Sequence, residues 1–184
     1  MINSKGSKLK APVLYIVFNR LDTVKQTFIE IQKARPSKFF IAADGPRNLA
    51  EKKKTEEVRD YILKNINWKC QVKTLFRDKN LGCKFAVSGA LTWFFKNVKM
   101  GIILEDDCLP TQSFFRFCSE MLEKYKNNNV ISQISGTNVE RKSKIEESYL
   151  FSRCFGIWGW ATWARAWKDY DIQMKKWPKT RKLT

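Results

Sequence analysis

Histidine is absent from this 184-residue chain, and that absence excludes a good deal. Without imidazole there is no Ser-His-Asp or Cys-His nucleophile system, no imidazole proton shuttle and no zinc site that needs a His ligand. Acid, base or metal chemistry then falls to carboxylates, cysteines, lysines or tyrosines. The five cysteines (Cys70, Cys83, Cys108, Cys118 and Cys154) are odd in number, and no pair has CxxC spacing. They read as reduced, partly buried thiols of a cytosolic protein. Neither GxGxxG nor GxxxxGK[ST] occurs, so the Rossmann dinucleotide and Walker phosphate loops are ruled out. Long apolar runs are missing too. The first such run, 13–18, is too short for a signal peptide or a membrane span, and the residues before it are polar and basic. The expected location is cytoplasmic, with peripheral attachment to the inner face of a membrane left open.

Acidic charge is scarce: 18 Asp plus Glu stand against 35 Lys plus Arg, a formal charge of +17. The lysines are scattered from Lys5 to Lys182. Scattered lysine describes a solvated surface, or else a footprint for an anionic partner such as a nucleic acid, a nucleoside diphosphate or an anionic membrane. No nucleic-acid-binding motif accompanies the charge, so a nucleic acid is not the expected partner. The length fits one domain with a real core.

Apolar patterning predicts buried strands at 13–18 and 39–43 and an alternating strand at 71–76. Further short strands are predicted at 101–104 and 130–134. Between them, helical spacing marks 21–34, 49–65, a stripe from Cys83 to Val98, and another from Phe114 to Tyr125 that starts after Pro110-Thr111. Asn48 and Glu51 have capping-box spacing at the start of the second helix. Five strand–helix alternations predict an α/β fold with a mostly parallel sheet flanked by helices. Beyond residue 140 the character changes: a charged loop at 141–147, a strand at 148–153, and a Trp-rich helix over 159–170. That helix would carry Trp160, Trp163 and Trp167 on one core-facing side.

Ligands of open parallel sheets bind beyond the carboxyl ends of the strands. There the sequence offers Asn19-Arg20, Asp44-Gly45, Arg77-Asp78 and Glu105-Asp106-Asp107. Three adjacent carboxylates after a buried strand repel one another unless water or a divalent cation relieves them. Oxygen ligands alone suit Mg2+ or Mn2+. If the chain stays extended, Glu105 and Asp107 face the same side. Asn80-Leu81-Gly82, flanked by Lys79 and Lys84, leads into a helix whose free N–H groups could receive an anion, but on the local residues alone an ordinary turn and helix entry is the better reading. Trp158, in a glycine-flanked loop, is placed to stack on a sugar or base.

In this order the motifs resemble GT-A nucleotide-sugar glycosyltransferases, and bacterial relatives of the N-acetylglucosaminyltransferase of N-glycan branching in particular. The resemblance spans about 12–178. It rests on Val13-Leu14-Tyr15-Ile16-Val17-Phe18-Asn19-Arg20, Ala42-Ala43-Asp44-Gly45, Ile102-Ile103-Leu104-Glu105-Asp106-Asp107 and Phe155-Gly156-Ile157-Trp158-Gly159-Trp160. It implies a GT-A-like (Rossmann-like) sheet and an inverting transfer from a nucleoside-diphosphate sugar, UDP-linked by preference, to a glycan or lipid-linked acceptor. It further implies a DxD-like role for the triplet, with Asp107 as the direct metal ligand, Glu105 beside it and Asp106 on the donor side. Asn19, Arg20 and Asp44 would hold the nucleoside, and Lys79, Asn80, Gly82 and Lys84 would lie beside the donor. Trp158, Gly159 and Trp160 would border the sugar and acceptor.

Residues 1–10 are then a flexible start, 11–138 the nucleotide-sugar-binding part, and 139–184 an incomplete acceptor-side part of the same domain. One departure stands out. The family's general base lies in an Asp-Trp-rich segment beyond the position of Trp177-Pro178, and no carboxylate occurs from Lys179 to Thr184. The resemblance therefore places the catalytic base beyond Thr184. Asp169 and Asp171 are the nearest carboxylates, and neither fits the motif. The alternatives are an enzyme without its base segment, one that borrows a base, and a catalytically silent donor-binding module, with a basic nucleic-acid-binding protein as a weaker rival.

Overall fold

The computed structural model describes residues 8–137 and 147–175. The expected charged loop and domain boundary near 138, the first seven residues and the segment that runs through Trp177-Pro178 to Thr184 lie outside the described residues. A six-stranded sheet of order β3-β2-β1-β4-β6-β5 forms the centre. Strands β1 (Val13–Val17), β2 (Lys38–Ala43), β3 (Gln71–Phe76) and β4 (Met100–Glu105) are parallel. β6 (Trp160–Trp163) runs antiparallel to both β4 and β5 (Gln133–Ser135).

Helices cover both faces. Along β1 the side chains alternate: Val13, Tyr15 and Val17 face one core, Leu14 and Ile16 the other. The first core takes Val24, Phe28 and Ile31 of α1 (Leu21–Ala34) and Val58 and Ile62 of α2 (Leu49–Asn65). It also takes Phe115, Cys118 and Leu122 of α4 (Gln112–Lys124). The second core is closed by Ala90, Leu91 and Phe94 of α3 (Gly82–Phe95). Each large apolar side chain so buried contributes about 1.5–3 kcal/mol. Burial pushes the Cys118 thiol up to about 12, so it is an inert packing group. Leu9 is buried as well, and its backbone bonds Ala34 and Ser37.

Three expectations fail near the C-terminal part. The fifth strand begins at Gln133, because the N–H groups of Val130 and Ile131 donate to the Asn128 side chain (2.9 and 3.3 Å) and turn the chain there. No strand forms over 148–153, where Tyr149 and Phe151 pack their rings on Tyr125, the C-cap of α4. The helix expected over 159–170 is β6 followed by the short α5 (Ala164–Trp167). Pairing on both edges of β6 overrides the helical spacing of its tryptophans. Trp160 and Trp163 therefore fall on opposite faces. Trp163 is buried in the first core with its indole N–H on the Leu122 carbonyl (3.0 Å), and Trp160 packs with Trp167 against the second.

Gly45, two residues after β2, lies on the backbone of Lys79, where an added Cβ would come within 2.4 Å of the Lys79 carbonyl carbon. Gly45→Ala should thus cost about 1–3 kcal/mol by overpacking. Urea denaturation will show a lowered midpoint with an unchanged slope; an unaltered midpoint would contradict the close approach.

Candidate functional site

The chain order reverses between β1 and β4, so the crevice beyond their carboxyl ends is the sheet's topological switch point. Arg20 enters it from the β1 side. It occupies the N-cap position of α1 without capping through its side chain, which leaves the guanidinium to cross to the end of β4. There Nη2 donates to Asp106 Oδ1 and, at 3.0 Å, to Asp107 Oδ2, while Nε reaches Asp106 Oδ2 at 3.4 Å. The two carboxylates differ in exposure. The Asp106 side chain is 6% exposed and that of Asp107 is 37% exposed, so Asp107 is the one open to solvent. Trp158, exposed on the loop before β6, donates its indole N–H to Asp107 Oδ1 at 3.3 Å.

The triplet does not continue as a strand. β4 ends at Glu105, and the Cys108 N–H closes a turn onto the Glu105 carbonyl at 3.1 Å. Thr27 braces that turn from α1 through the Cys108 carbonyl at 2.8 Å. The expected alternation of Glu105 with Asp107 therefore stops. Among the described residues no three Asp, Glu or Cys groups gather as a metal cage. Electrostatic crowding remains. Burial raises the Glu105 carboxyl above its usual range, and Asp107 and Asp106 raise it further. Asp106 is also raised by burial, against the pull of Arg20.

Asn19 is half-buried, and its side-chain amide donates to Glu51 Oε1 at 3.4 Å. Glu51 is gripped by Arg47, through its Nε at 3.0 Å and its backbone N–H at 2.9 Å, and is pulled down to about 2 as a result. Arg47 lies over the Phe18 ring. The capping spacing of Asn48 and Glu51 is half realised: Asn48 accepts from the Glu51 N–H at 2.9 Å, but the Glu51 carboxylate turns outward to Arg47.

Asp44, Asn80 and Gly82 form a separate cluster at the ends of β2 and β3. The buried Asp44 carboxylate accepts from the N–H groups of Leu81 (3.0 Å) and Gly82 (3.2 Å). The anion at the start of α3 is thus the protein's own side chain, and the turn is occupied. Asn80 donates to the Gly45 carbonyl at 2.8 Å. Arg59 ties the two strand ends together through the carbonyls of Asp44 (3.0 Å) and Arg77 (2.7 Å). Lys79 and Lys84 are exposed, with Lys84 beside the Phe85 ring. No hydrogen bond among the described residues links this cluster to Arg20, Asp106, Asp107 and Trp158. Gly159, with φ +66°, lets the chain turn from Trp158 into β6.

The catalytic base expected beyond Thr184 falls outside the described residues, which end at Lys175. The nearest carboxylates within them, Asp169 and Asp171, leave the sheet at its other end. β6 starts beside the rim, opposite Ile103, and finishes opposite Met100, and both aspartates follow it. Asp171 there receives the N–H groups of Gln173 (3.0 Å) and Lys175 (2.7 Å). Arg47, Arg59 and Thr27 are site-shaping residues that sequence reasoning missed. For Arg47 the signal was its i,i+4 spacing to Glu51; Arg59 and Thr27 act across distances with no local pattern.

No protein-family model matches the chain, and no curated protein does. Among solved structures, the mannosyltransferase PcManGT from Pyrobaculum calidifontis, determined in complex with GDP-Man and Mn2+, matches at 11% identity with a TM-score of 0.45. The match covers 68% of this chain and 35% of that one, so it takes in about a third of the mannosyltransferase's length.

A carboxyl raised in the folded state stabilises the fold when protonated, and that contribution is lost as pH rises through the raised value. Glu105→Gln should therefore be more stable than the native chain at neutral pH, with the gain vanishing below the ordinary carboxylate value of 4.5. Thermal denaturation against pH will test this. A variant less stable at every pH would show that the carboxylate makes a needed contact.

Proposed function

We propose that the switch-point crevice binds a divalent cation together with a nucleoside-diphosphate sugar, and that the chain is the donor-binding part of a GT-A glycosyltransferase. The observation that carries the reading is an exposed carboxylate, Asp107, at the end of β4, with Arg20 across the crevice and the Trp158 indole on its second oxygen. Mg2+ and Mn2+ commonly bind through one or two carboxylates plus substrate phosphates, so the lack of an all-protein cage among the described residues fits this donor set. Asp107 would hold the ion and Glu105 would add negative field behind it. When bound, the ion offsets charge on the diphosphate leaving group.

Arg20 has two tasks in this reading. It keeps buried Asp106 paired, and its half-exposed guanidinium is available to phosphate oxygens. Asn19 and the Phe18 ring, backed by Arg47 and Glu51, would border the nucleoside, and Trp158 the sugar. Asp44, Asn80 and Gly82 support the donor side by fixing the loop before α3, with Lys79 and Lys84 adding positive field. UDP as the nucleotide, inversion at the sugar, a glycan or lipid-linked acceptor, and kinship with the N-acetylglucosaminyltransferase of N-glycan branching all rest on the sequence resemblance. The base belongs in the same scheme to a segment beyond Thr184.

A second reading is a silent nucleotide-sugar-binding module. It is favoured by the placement of Asp169 and Asp171 at the far end of the sheet. Base catalysis contributes about 10²–10⁴-fold, so such a module would bind donor with little turnover. Release of sugar from a UDP-sugar by this chain would exclude it.

Calorimetric titration of UDP with Mn2+ present will give binding that disappears on chelation and in Asp107→Ala. Binding that survives that substitution would remove Asp107 from the site, and GDP preferred over UDP would correct the nucleotide.

A further inference from the structure

One loop, which reaches from its contact with Tyr125 at the C-terminal end of α4 to its contact with Asp107 at the crevice, carries a row of exposed apolar side chains. Between Tyr149 and β6, Leu150, Phe151, Phe155, Ile157 and Trp158 are each between 54% and 68% exposed, and Leu109, two residues after Asp107, is 65% exposed. Patches of this kind on a folded protein mark interaction sites. The exposure does not come from a loosely held backbone. At one foot, the Tyr149 hydroxyl meets the Lys124 ammonium at 2.7 Å and the Tyr125 hydroxyl at 2.6 Å, and the Phe151 ring stands edge-on to Tyr125 at 5.8 Å. At the other foot, Gln133 donates to the Gly156 carbonyl (2.8 Å), Thr137 to the Trp158 carbonyl (2.7 Å), and the Gly136 N–H to the Gly159 carbonyl (2.9 Å). The carbonyls of Gly156, Trp158 and Gly159 are bonded to the segment 133–137, while the aromatic and aliphatic side chains are held out to solvent.

We infer that this loop is a membrane wedge: its apolar side chains enter the interfacial layer of an anionic bilayer, and the cationic surface of the chain binds the headgroups. Charge decides the occupant. A formal +17 attracts an anionic surface, whereas two copies of the same chain repel each other. Aromatic side chains with an exposed cation, Arg153, among them suit the headgroup boundary. Insertion of this kind reaches only the depth of the side chains, at the boundary of headgroups and acyl chains. Because Trp158 contacts Asp107, insertion would hold the mouth of the crevice at the lipid surface. If the glycosyltransferase reading above holds, this favours a lipid-linked acceptor over a free glycan.

The test is co-sedimentation with vesicles, without nucleotide or metal. Phosphatidylcholine vesicles containing phosphatidylglycerol should pull the chain down about tenfold more than phosphatidylcholine alone, and Phe151→Ser/Phe155→Ser/Ile157→Ser should lose that binding while retaining Mn2+-dependent UDP binding. Native chain left in the supernatant would overturn the proposal. So would a triple variant that sediments like the native chain, which would mean charge alone binds, or a dimer that the triple substitution dissolves. Should the triple variant fail to fold, a polarity-sensitive dye on Cys154 in a Cys70→Ser/Cys83→Ser chain gives a second readout. Its emission must shift to the blue on anionic vesicles, and an unshifted spectrum would contradict insertion. Vesicle binding without UDP binding would remove the donor reading and leave the wedge intact.

Discussion

The candidate site depends on one ion-pair arrangement, Arg20 with Asp106 and Asp107 across the gap between β1 and β4. Asp106 is buried where an unpaired carboxylate would be costly, and Arg20 is the cation that meets it. The same guanidinium touches Asp107, which remains open to solvent. One arginine therefore closes the end of the sheet and leaves a single carboxylate facing out. Thr27 fixes the turn that carries both acids, and the packing of α1 through Val24, Phe28 and Ile31 keeps Arg20 and Thr27 in place. Core packing and site geometry are coupled through this helix.

The neighbouring β2 and β3 ends solve a similar problem by internal means. Asp44 takes the free N–H groups ahead of α3, and Arg59 gathers the carbonyls of Asp44 and Arg77. The Asp44 carboxylate is taken up inside this cluster, and only the buried Arg59 Nε finds no hydrogen-bond partner among the described residues, so the cluster reads as a brace for the rim. The crevice between β1 and β4 keeps an exposed carboxylate, a half-exposed guanidinium and an exposed indole, which are groups that can still meet a ligand. That contrast is why the donor reading centres on Asp107 and Arg20.

Much of the α/β frame was legible from local signals. The helices Leu21–Ala34 and Leu49–Asn65 and the strand Gln71–Phe76 have the bounds expected of them. What escaped was non-local. Trp160, Trp163 and Trp167 share helical spacing, yet Trp160 and Trp163 sit in a strand because β4 and β5 pair with its two edges. The acidic triplet was visible as a motif, but not its break into a turn after Glu105 or the selective burial of Asp106. Asn80-Leu81-Gly82 read as an ordinary turn with an anion site as the sharper alternative, and only the fold shows that Asp44 fills it. Spacing reports which residue types stand at a strand end; burial decides which of them remain available.

In the proposed function Asp107 accepts a divalent cation once a diphosphate supplies the other ligands. Electron paramagnetic resonance of Mn2+ tests it directly. The free-ion signal should fall when both the protein and UDP are present, and fall much less with either alone. An equal signal with and without the protein at saturating UDP would contradict the account.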